Sequence, residues 1–255
     1  MKTAAAALLI LIALAVAAPF VSPYGPDALD LANRRGAPSW AHPFGTDELG
    51  RDLLTRVLYG ARISLAIGLL SALVAGAVGT LVGSLSGLGR PWLDDLLMRL
   101  TDTMLAVPRL PLLMIVSVIL EPGVPGLIVL VGLVGWMEVA RLVRAELLSL
   151  KTREFVFAAR AIGAGPARLL WRHLIPAVVP TLTVAATLSV GRSILLESAL
   201  SFFGVGVQPP TPSWGNMLYQ AQTTMSTEPW LALFPGLFIF ATACAVNVIG
   251  ETTRR

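Results

Sequence analysis

The sequence predicts an all-α polytopic membrane protein, with six transmembrane helices and a cytoplasmic helix-turn-helix loop between the fourth and the fifth. Apolar residues make up 55% of the 255 residues and charged residues only 13%, against about 25% in soluble proteins. The apolar residues form runs close to the roughly 20 helical residues that cross a bilayer. We expect a single transmembrane domain over residues 1–255. Its six predicted spans cover residues 4–22, 63–88, 96–120, 124–143, 177–203 and 230–250.

The first span can be interpreted in two ways. Residues 4–22 carry no charge and are just long enough to cross a membrane. The Ala-Val-Ala-Ala sequence near their end is also typical of a signal-peptidase site, so a cleaved signal peptide is the alternative to a retained span.

A short helix is predicted in the polar segment that follows. Gly45-Thr46-Asp47 indicates a turn, and Thr46 or Asp47 could accept the first N–H bonds of a helix as its N-cap. We expect this helix to lie on the outer face of the membrane, because it has an apolar side. That side consists of Leu53, Leu54, Val57 and Leu58.

The second span carries small residues on one face. They recur at every fourth position, at Ala75, Gly79, Gly83 and Gly87. Faces of this kind allow two membrane helices to approach closely, so we expect this one to pack against a neighbouring helix.

Prolines and charges interrupt the third span. Pro108 and Pro111 predict a kinked or broken helix, because proline removes a backbone donor and clashes with the preceding turn. Arg99 and Asp102 are three residues apart, so we expect them to form an ion pair. A charge at mid-membrane costs at least ~2.5 kcal/mol, so Arg109 should face protein or water.

A proline-rich stretch separates the last two spans. Residues 208–215, QPPTPSWG, predict an extended external loop, since so many prolines forbid a helix. Trp214 and Trp230 are of the type found at membrane interfaces.

The basic interruption at residues 151–176 predicts two short helices. Phe155, Ala158, Ala159 and Ile162 recur at helical spacing and make one face with alanines at its centre. Gly163 and Gly165 then break the helix, and Pro166 suits the first turn of a second one. This pattern fits a surface that meets a soluble partner. It fits equally an amphipathic loop that lies in the lipid headgroups.

The basic residues indicate the orientation of the chain. If the N-terminus lies inside, basic residues on the inner side outnumber those on the outer side, as the positive-inside rule requires. Both termini and residues 151–176 are then expected in the cytoplasm. The net charge of +4 reflects this sorting, and we do not expect nucleic acid as a partner.

Three segments resemble one protein family. Ala158-Ala159, Gly163 and Pro176 are spaced as in the E-A-A-x-x-x-G-x9-I-x-L-P loop of binding-protein-dependent ABC transporter permeases, with Phe157 at the position of the glutamate. Residues 42–66 and 195–218 resemble the second permease subunit of the dipeptide, oligopeptide and nickel branch.

The resemblance implies a function and a set of partners. The chain would be the permease subunit of an ATP-driven importer of di- or oligopeptides or of a nickel complex, in a bacterial or archaeal cell (inner) membrane. Its partners would be a second permease chain, two ATPase subunits, an external solute-binding protein and membrane lipid. The family also carries a retained first span. This chain would hold no cofactor, since ATP is used by the partner subunits.

The resemblance also assigns roles to residues. The ATPase-coupling residues would be Glu154, Phe155, Ala158, Ala159, Ile162 and Gly163. Charges within the predicted spans, rather than the resemblance, give Asp102, Arg109 and Glu197 as candidates for the border of the translocation path. Arg109 could equally be a structural arginine buried between subunits. The outer helix near Leu53 could add a contact for the solute-binding protein.

Enzymatic function is the less favoured alternative. The phosphate-binding motif G-x-x-x-x-G-K-[ST] is absent from the sequence, and His42 and His173 fit no metal-binding pattern. Asp102 is the only aspartate within a predicted span. An intramembrane aspartyl protease would need two, so that pair is missing. We therefore expect a transport subunit rather than an enzyme.

Overall fold

The computed structural model describes residues 2–253, and the fold of this part is built from ten α-helices. Five of these helices are long and apolar enough to cross a membrane, and the bent pair α3–α4 would make a sixth span. The helices are α1 (Lys2–Val21), α2 (Leu53–Leu88), α3 (Pro91–Ala106), α4 (Arg109–Leu120), α5 (Val124–Leu150), α6 (Glu154–Ala161), α7 (Pro166–Leu169), α8 (Ile175–Phe202), α9 (Trp214–Ala221) and α10 (Trp230–Thr253). The all-α polytopic fold predicted from the sequence is confirmed.

The small residues of α2 form a close contact with a neighbouring helix. A Cβ added at Gly79 would lie 2.5 Å from the Cβ of Val139 on α5, and one added at Gly83 would lie 2.6 Å from the Ala140 carbonyl oxygen. Both distances are shorter than real contacts. The expected close packing is therefore confirmed, and α5 is the neighbouring helix.

The prediction of a separate helix on the outer membrane face is wrong. Leu53 begins α2 itself, and its N-cap is Asp52, whose Oδ2 accepts from the Thr55 N–H at 2.8 Å. Asp47 instead accepts from backbone N–H groups within the preceding turn. The apolar side is buried against α9 and α10, with Leu53 and Val57 in the same cluster as Trp214. Burial within the chain thus replaces burial in lipid.

Trp214, which the sequence suggested as a membrane-interface residue, is instead enclosed by the chain. It is fully buried, and its Nε1 donates to the Val57 carbonyl oxygen at 3.1 Å. It begins α9, which Ser213 and Asn216 cap reciprocally. Of the loop predicted over residues 208–215, residues 208–213 lie outside helices, whereas the last two residues belong to α9.

The third span is broken, as its prolines predicted. Val107 and Pro108 separate α3 from α4, and the two helices meet at 86°. The predicted pairing of Arg99 with Asp102 is wrong. Arg99 pairs with Asp95, one helical turn away, because Asp102 points to a guanidinium on α5.

Helix α1 packs against α2 and α10. Its contact face includes Ala15 and Ala18, which are both buried. Helix α1 thus lies beside two other long apolar helices.

Candidate functional site

The basic segment forms a helix-turn-helix between two spans. After α5 ends at Leu150, α6 runs to Ala161, a turn follows, and α7 begins at Pro166. A π-helical stretch, Leu170–Leu174, then joins α7 to α8 without a break. Helix α6 is thus connected to two long spans, one on each side.

Helix α6 has one buried side and one exposed side. Val156 and Ala159 are buried in a cluster with Leu147 of α5, Leu174 of the π-helical stretch and Val178 of α8. These two side chains seat α6 on the ends of the spans. Four exposed apolar residues of α6 and its C-terminal end form a surface that we call the α6 patch: Phe155, Phe157, Ala158 and Ile162.

The two alanines therefore do not share one exposed face. Ala158 is exposed, whereas Ala159 is only 4% exposed and contacts its own chain. A bulky residue at position 159 would disturb the packing of α6 on α5 and α8. Ile162, which is 86% exposed, is the most prominent apolar side chain of the α6 patch.

Gly163 makes the turn that ends α6. Its φ is +87°, and a Cβ built there would meet no described atom within 4 Å. The backbone conformation alone therefore calls for glycine at this position. The Gly163 N–H donates to the Arg160 carbonyl oxygen at 2.9 Å, and the Ala164 N–H donates to that of Ala159 at 3.0 Å. The predicted glycine turn is confirmed.

The surroundings of the α6 patch are strongly basic. The exposed arginines of the segment are Arg153, Arg160, Arg168 and Arg172. Partial burial, together with the positive charge of Arg160, lowers the pKa of Lys151. An apolar surface with a polar rim is typical of a site that binds another protein.

A second group of functional candidates lies along α5. Three ion pairs connect this helix to the broken span: Asp94–Arg144, Asp102–Arg141 and Arg109–Glu138. Arg192 of α8 contacts the second oxygen of Glu138. We call these seven residues the polar stripe.

The polar stripe follows the helical period of α5. Its members on that helix, Glu138, Arg141 and Arg144, are spaced three residues apart and so share one side. Arg144 binds Asp94 through two hydrogen bonds, of 2.6 and 2.7 Å. Arg109 Nη2 donates to Glu138 Oε1 at 2.8 Å. Most of these side chains are at least one-third exposed in the single chain. Since charges at membrane depth are costly in lipid, this side must face water or another protein.

Two of the three path candidates belong to the polar stripe, and the third does not. Asp102 and Arg109 are members. Glu197 is only 1% exposed and is enclosed by the chain. Its carboxylate accepts from Ser201 at 2.8 Å and from Ser64 at 3.2 Å. Ser201 in turn accepts from the Val207 N–H, so Glu197 connects α2 and α8 to the loop that follows α8.

Sequence reasoning missed Glu138 and Arg192 as site residues. Both were visible as charges within or beside predicted spans. Their pairing joins positions 54 residues apart in the sequence. Only the spacing of Glu138, Arg141 and Arg144 could have indicated a shared side.

Comparison with known proteins identifies the family. Residues 79–251 match the model of the family described as binding-protein-dependent transport system inner membrane component. The chain belongs to this family.

Relatives with assigned names agree with that membership. A putative peptide permease protein of Brucella suis is 43% identical over 238 residues, which cover 92% of this chain and 79% of the relative. The glutathione transport system permease protein GsiD of Escherichia coli is 41% identical over 253 residues, which cover 99% of this chain and 84% of the relative. This chain is accordingly a permease subunit of an ABC importer. Neither these relatives nor the described residues 2–253 give support to the protease alternative.

The fold has a counterpart among solved structures. The MetNI methionine ABC transporter, in an inward-facing conformation, contains a chain that aligns with a TM-score of 0.62 at 20% identity. The alignment covers 78% of this chain and 97% of the other. At this identity the likeness establishes the fold alone.

Proposed function

We propose that this ABC-importer permease translocates small peptides and is driven by separate ATPase subunits that bind the α6 patch. The observation that carries the proposal is the exposed apolar surface of a short helix whose other side packs on two spans. The names of the peptide and glutathione permeases support small peptides as the class of solute. A nickel complex is the second candidate of the same branch.

The contacts of α6 support a coupling role. Its buried side chains pack on α5 and α8, so a displacement of α6 by a bound ATPase would move both spans. Near-complete switching between two conformations takes about 5.5 kcal/mol of differential binding. An apolar contact made by Phe155, Phe157 and Ile162 could supply much of this energy. Glu154, Ala158 and Gly163 would shape the same contact, and Ala159 would anchor it.

The remaining partners follow from the polar stripe and from the family. The stripe would form one wall of the translocation path, and a second permease chain, in a heterodimer, would form the other. An external solute-binding protein would deliver the solute to the outer loops. We place the chain in the inner membrane of a bacterial or archaeal cell, as a single domain with both termini in the cytoplasm.

Reconstitution of the importer tests the proposal. Proteoliposomes that contain this chain, the second permease and the ATPases should import peptide when the binding protein and ATP are supplied on their proper sides. The purified chain alone should not hydrolyse ATP. Import without the ATPase subunits, or ATP hydrolysis by the chain alone, would contradict the proposed division of labour.

Cysteine labelling tests the orientation. Ser226→Cys in the loop before α10 and Thr152→Cys before α6 are both exposed positions. In a Cys244→Ser background, a membrane-impermeant maleimide added to whole cells should label Ser226→Cys only. Labelling of both positions from outside would exclude the proposed topology.

A further inference from the structure

We propose that Arg192 and Arg109, held together by Glu138, form a subsite for the carboxylate group of the transported solute. The inference rests on the proposed function and names the chemical group that this part of the path recognises.

The charge balance of the cluster leaves one cation in excess. Glu138 Oε1 accepts from Arg109, and its Oε2 accepts from Arg192. One carboxylate therefore serves two guanidinium groups. A second carboxylate, brought by a solute, would neutralise the remaining charge.

The two arginines also have unused donors. A guanidinium carries five N–H groups. Each arginine has a single hydrogen bond, to Glu138, among the described residues. The Arg192 side chain is 56% exposed. A planar fork of free donors is the arrangement that binds a carboxylate through two parallel hydrogen bonds.

A cavity of suitable size adjoins the cluster. It lies between α5 and α8, has a volume of about 530 Å³, and is lined by Glu138 and Arg192. This volume lies in the range of small-molecule sites. Thr181 and Ser189 add polar groups to its wall, and Val184 and Leu188 add apolar surface. A short peptide offers a carboxylate and apolar side chains, so its chemistry matches this lining.

The cluster joins separate elements of the path. Arg109 begins α4 directly after the break at Pro108, Glu138 lies in the middle of α5, and Arg192 lies on α8. A movement of α8 that separates Arg192 from Glu138 would free its guanidinium. In this way the conformation of the permease would control the exposure of the subsite.

A comparison of two probes tests the subsite. Uptake of trialanine and of trialanine amide, which lacks the carboxylate, is measured in proteoliposomes that contain the complete importer. The same binding protein serves every variant, so a change in the ratio of the two uptake rates between variants reports the permease. We expect Arg192→Gln and Arg109→Gln to lower the preference for trialanine about tenfold, the effect of roughly one charge-assisted hydrogen bond.

Two further variants make the result specific. Glu138→Gln leaves both guanidinium groups without their anion, so it should retain the preference and lower the KM for trialanine. Arg99→Gln removes an exposed arginine outside the cluster, and it should leave the ratio unchanged. An unchanged ratio of trialanine to trialanine-amide uptake in Arg192→Gln would overturn the subsite. The same holds if this variant assembles poorly but its residual uptake keeps the wild-type ratio.

A binding measurement separates this inference from the proposed function. The thermal unfolding midpoint of the purified permease–ATPase complex is measured with trialanine or with its amide at millimolar concentration. Stabilisation by trialanine alone, lost in Arg192→Gln, supports the subsite even if no uptake is measured. Equal shifts with both probes overturn the subsite, while ATP-driven uptake of either probe would leave the proposed function intact.

Discussion

Ile162 offers the sharpest test of the α6 patch. Its side chain is 86% exposed in the single chain, so a bound ATPase would be the first surface to remove it from water. Replacement by alanine removes three carbon atoms. At ~0.8 kcal/mol for each, scaled by the exposed fraction, Ile162→Ala should weaken the complex by roughly 2 kcal/mol, or about 30-fold in Kd.

The assay is binding of the ATPase subunits to the permease pair in nanodiscs, with the Kd measured by titration. Ile119→Ala is the matched control, because Ile119 is an exposed isoleucine on α4, away from α6. Val156→Ala is a second control. Val156 is fully buried, so this variant should lower the thermal stability of the permease more than its affinity for the ATPase.

The outcome distinguishes docking from lipid contact. If the α6 patch lies in the headgroups instead, Ile162→Ala should leave the Kd of the ATPase indistinguishable from wild type. The same result in Phe157→Ala would refute the assignment of α6 as the docking helix.

Three further predictions concern the framework of the site. Gly163→Ala forces a side chain onto φ +87°, so it should lower the stability of the α6 turn by ~1–2 kcal/mol and speed hydrogen exchange in α6 about tenfold. Gly165→Ala should do neither, and equal exchange in both variants would contradict the role of the turn. Gly83→Ala should lower the stability of the purified chain to thermal unfolding by ~1–3 kcal/mol, because the added Cβ would meet α5. The control is Gly76→Ala, whose Cβ meets no described atom within 4 Å, and it should be neutral or stabilising. Destabilisation of similar size in both variants would count against close packing at Gly83. Glu197→Ala should lower the thermal unfolding midpoint more than Glu197→Gln, since it strips an acceptor from two buried serines at ~1–3 kcal/mol each; a larger effect on transport than on stability would instead favour a place in the path.

Much of the fold could be predicted from local properties of the sequence. The apolar runs identified the spans, because burying a backbone in lipid requires helices. Pro108 identified the break in the third span, since proline acts on its own helix whatever surrounds it. Gly163 identified the turn after α6, because the backbone freedom of glycine is likewise a property of the residue itself. The helix-turn-helix at residues 151–176 was predicted from Gly163, Gly165 and Pro166, which end one helix and begin the next.

Predictions that depended on a choice of partner were less successful. The apolar side of Leu53 and Val57 could have faced lipid or protein, and their periodicity is the same in both cases. Arg99 had two acidic neighbours within one helical turn, and the distant Arg141 decided between them by binding Asp102. The side of α6 that carries Ala159 was likewise settled by the ends of α5 and α8.

The sequence by itself thus determined where helices begin, break and turn, because those properties depend on each residue and its near neighbours. The tertiary structure alone decided which sides are covered. It enclosed Glu197, left Ile162 exposed, and brought Arg192 to Glu138 across 54 positions of the chain. The physical reason is that burial and ion pairing depend on the packing of helices that are distant in the sequence. Helical periodicity shows which residues share a side of a helix, but it does not show what packs against that side.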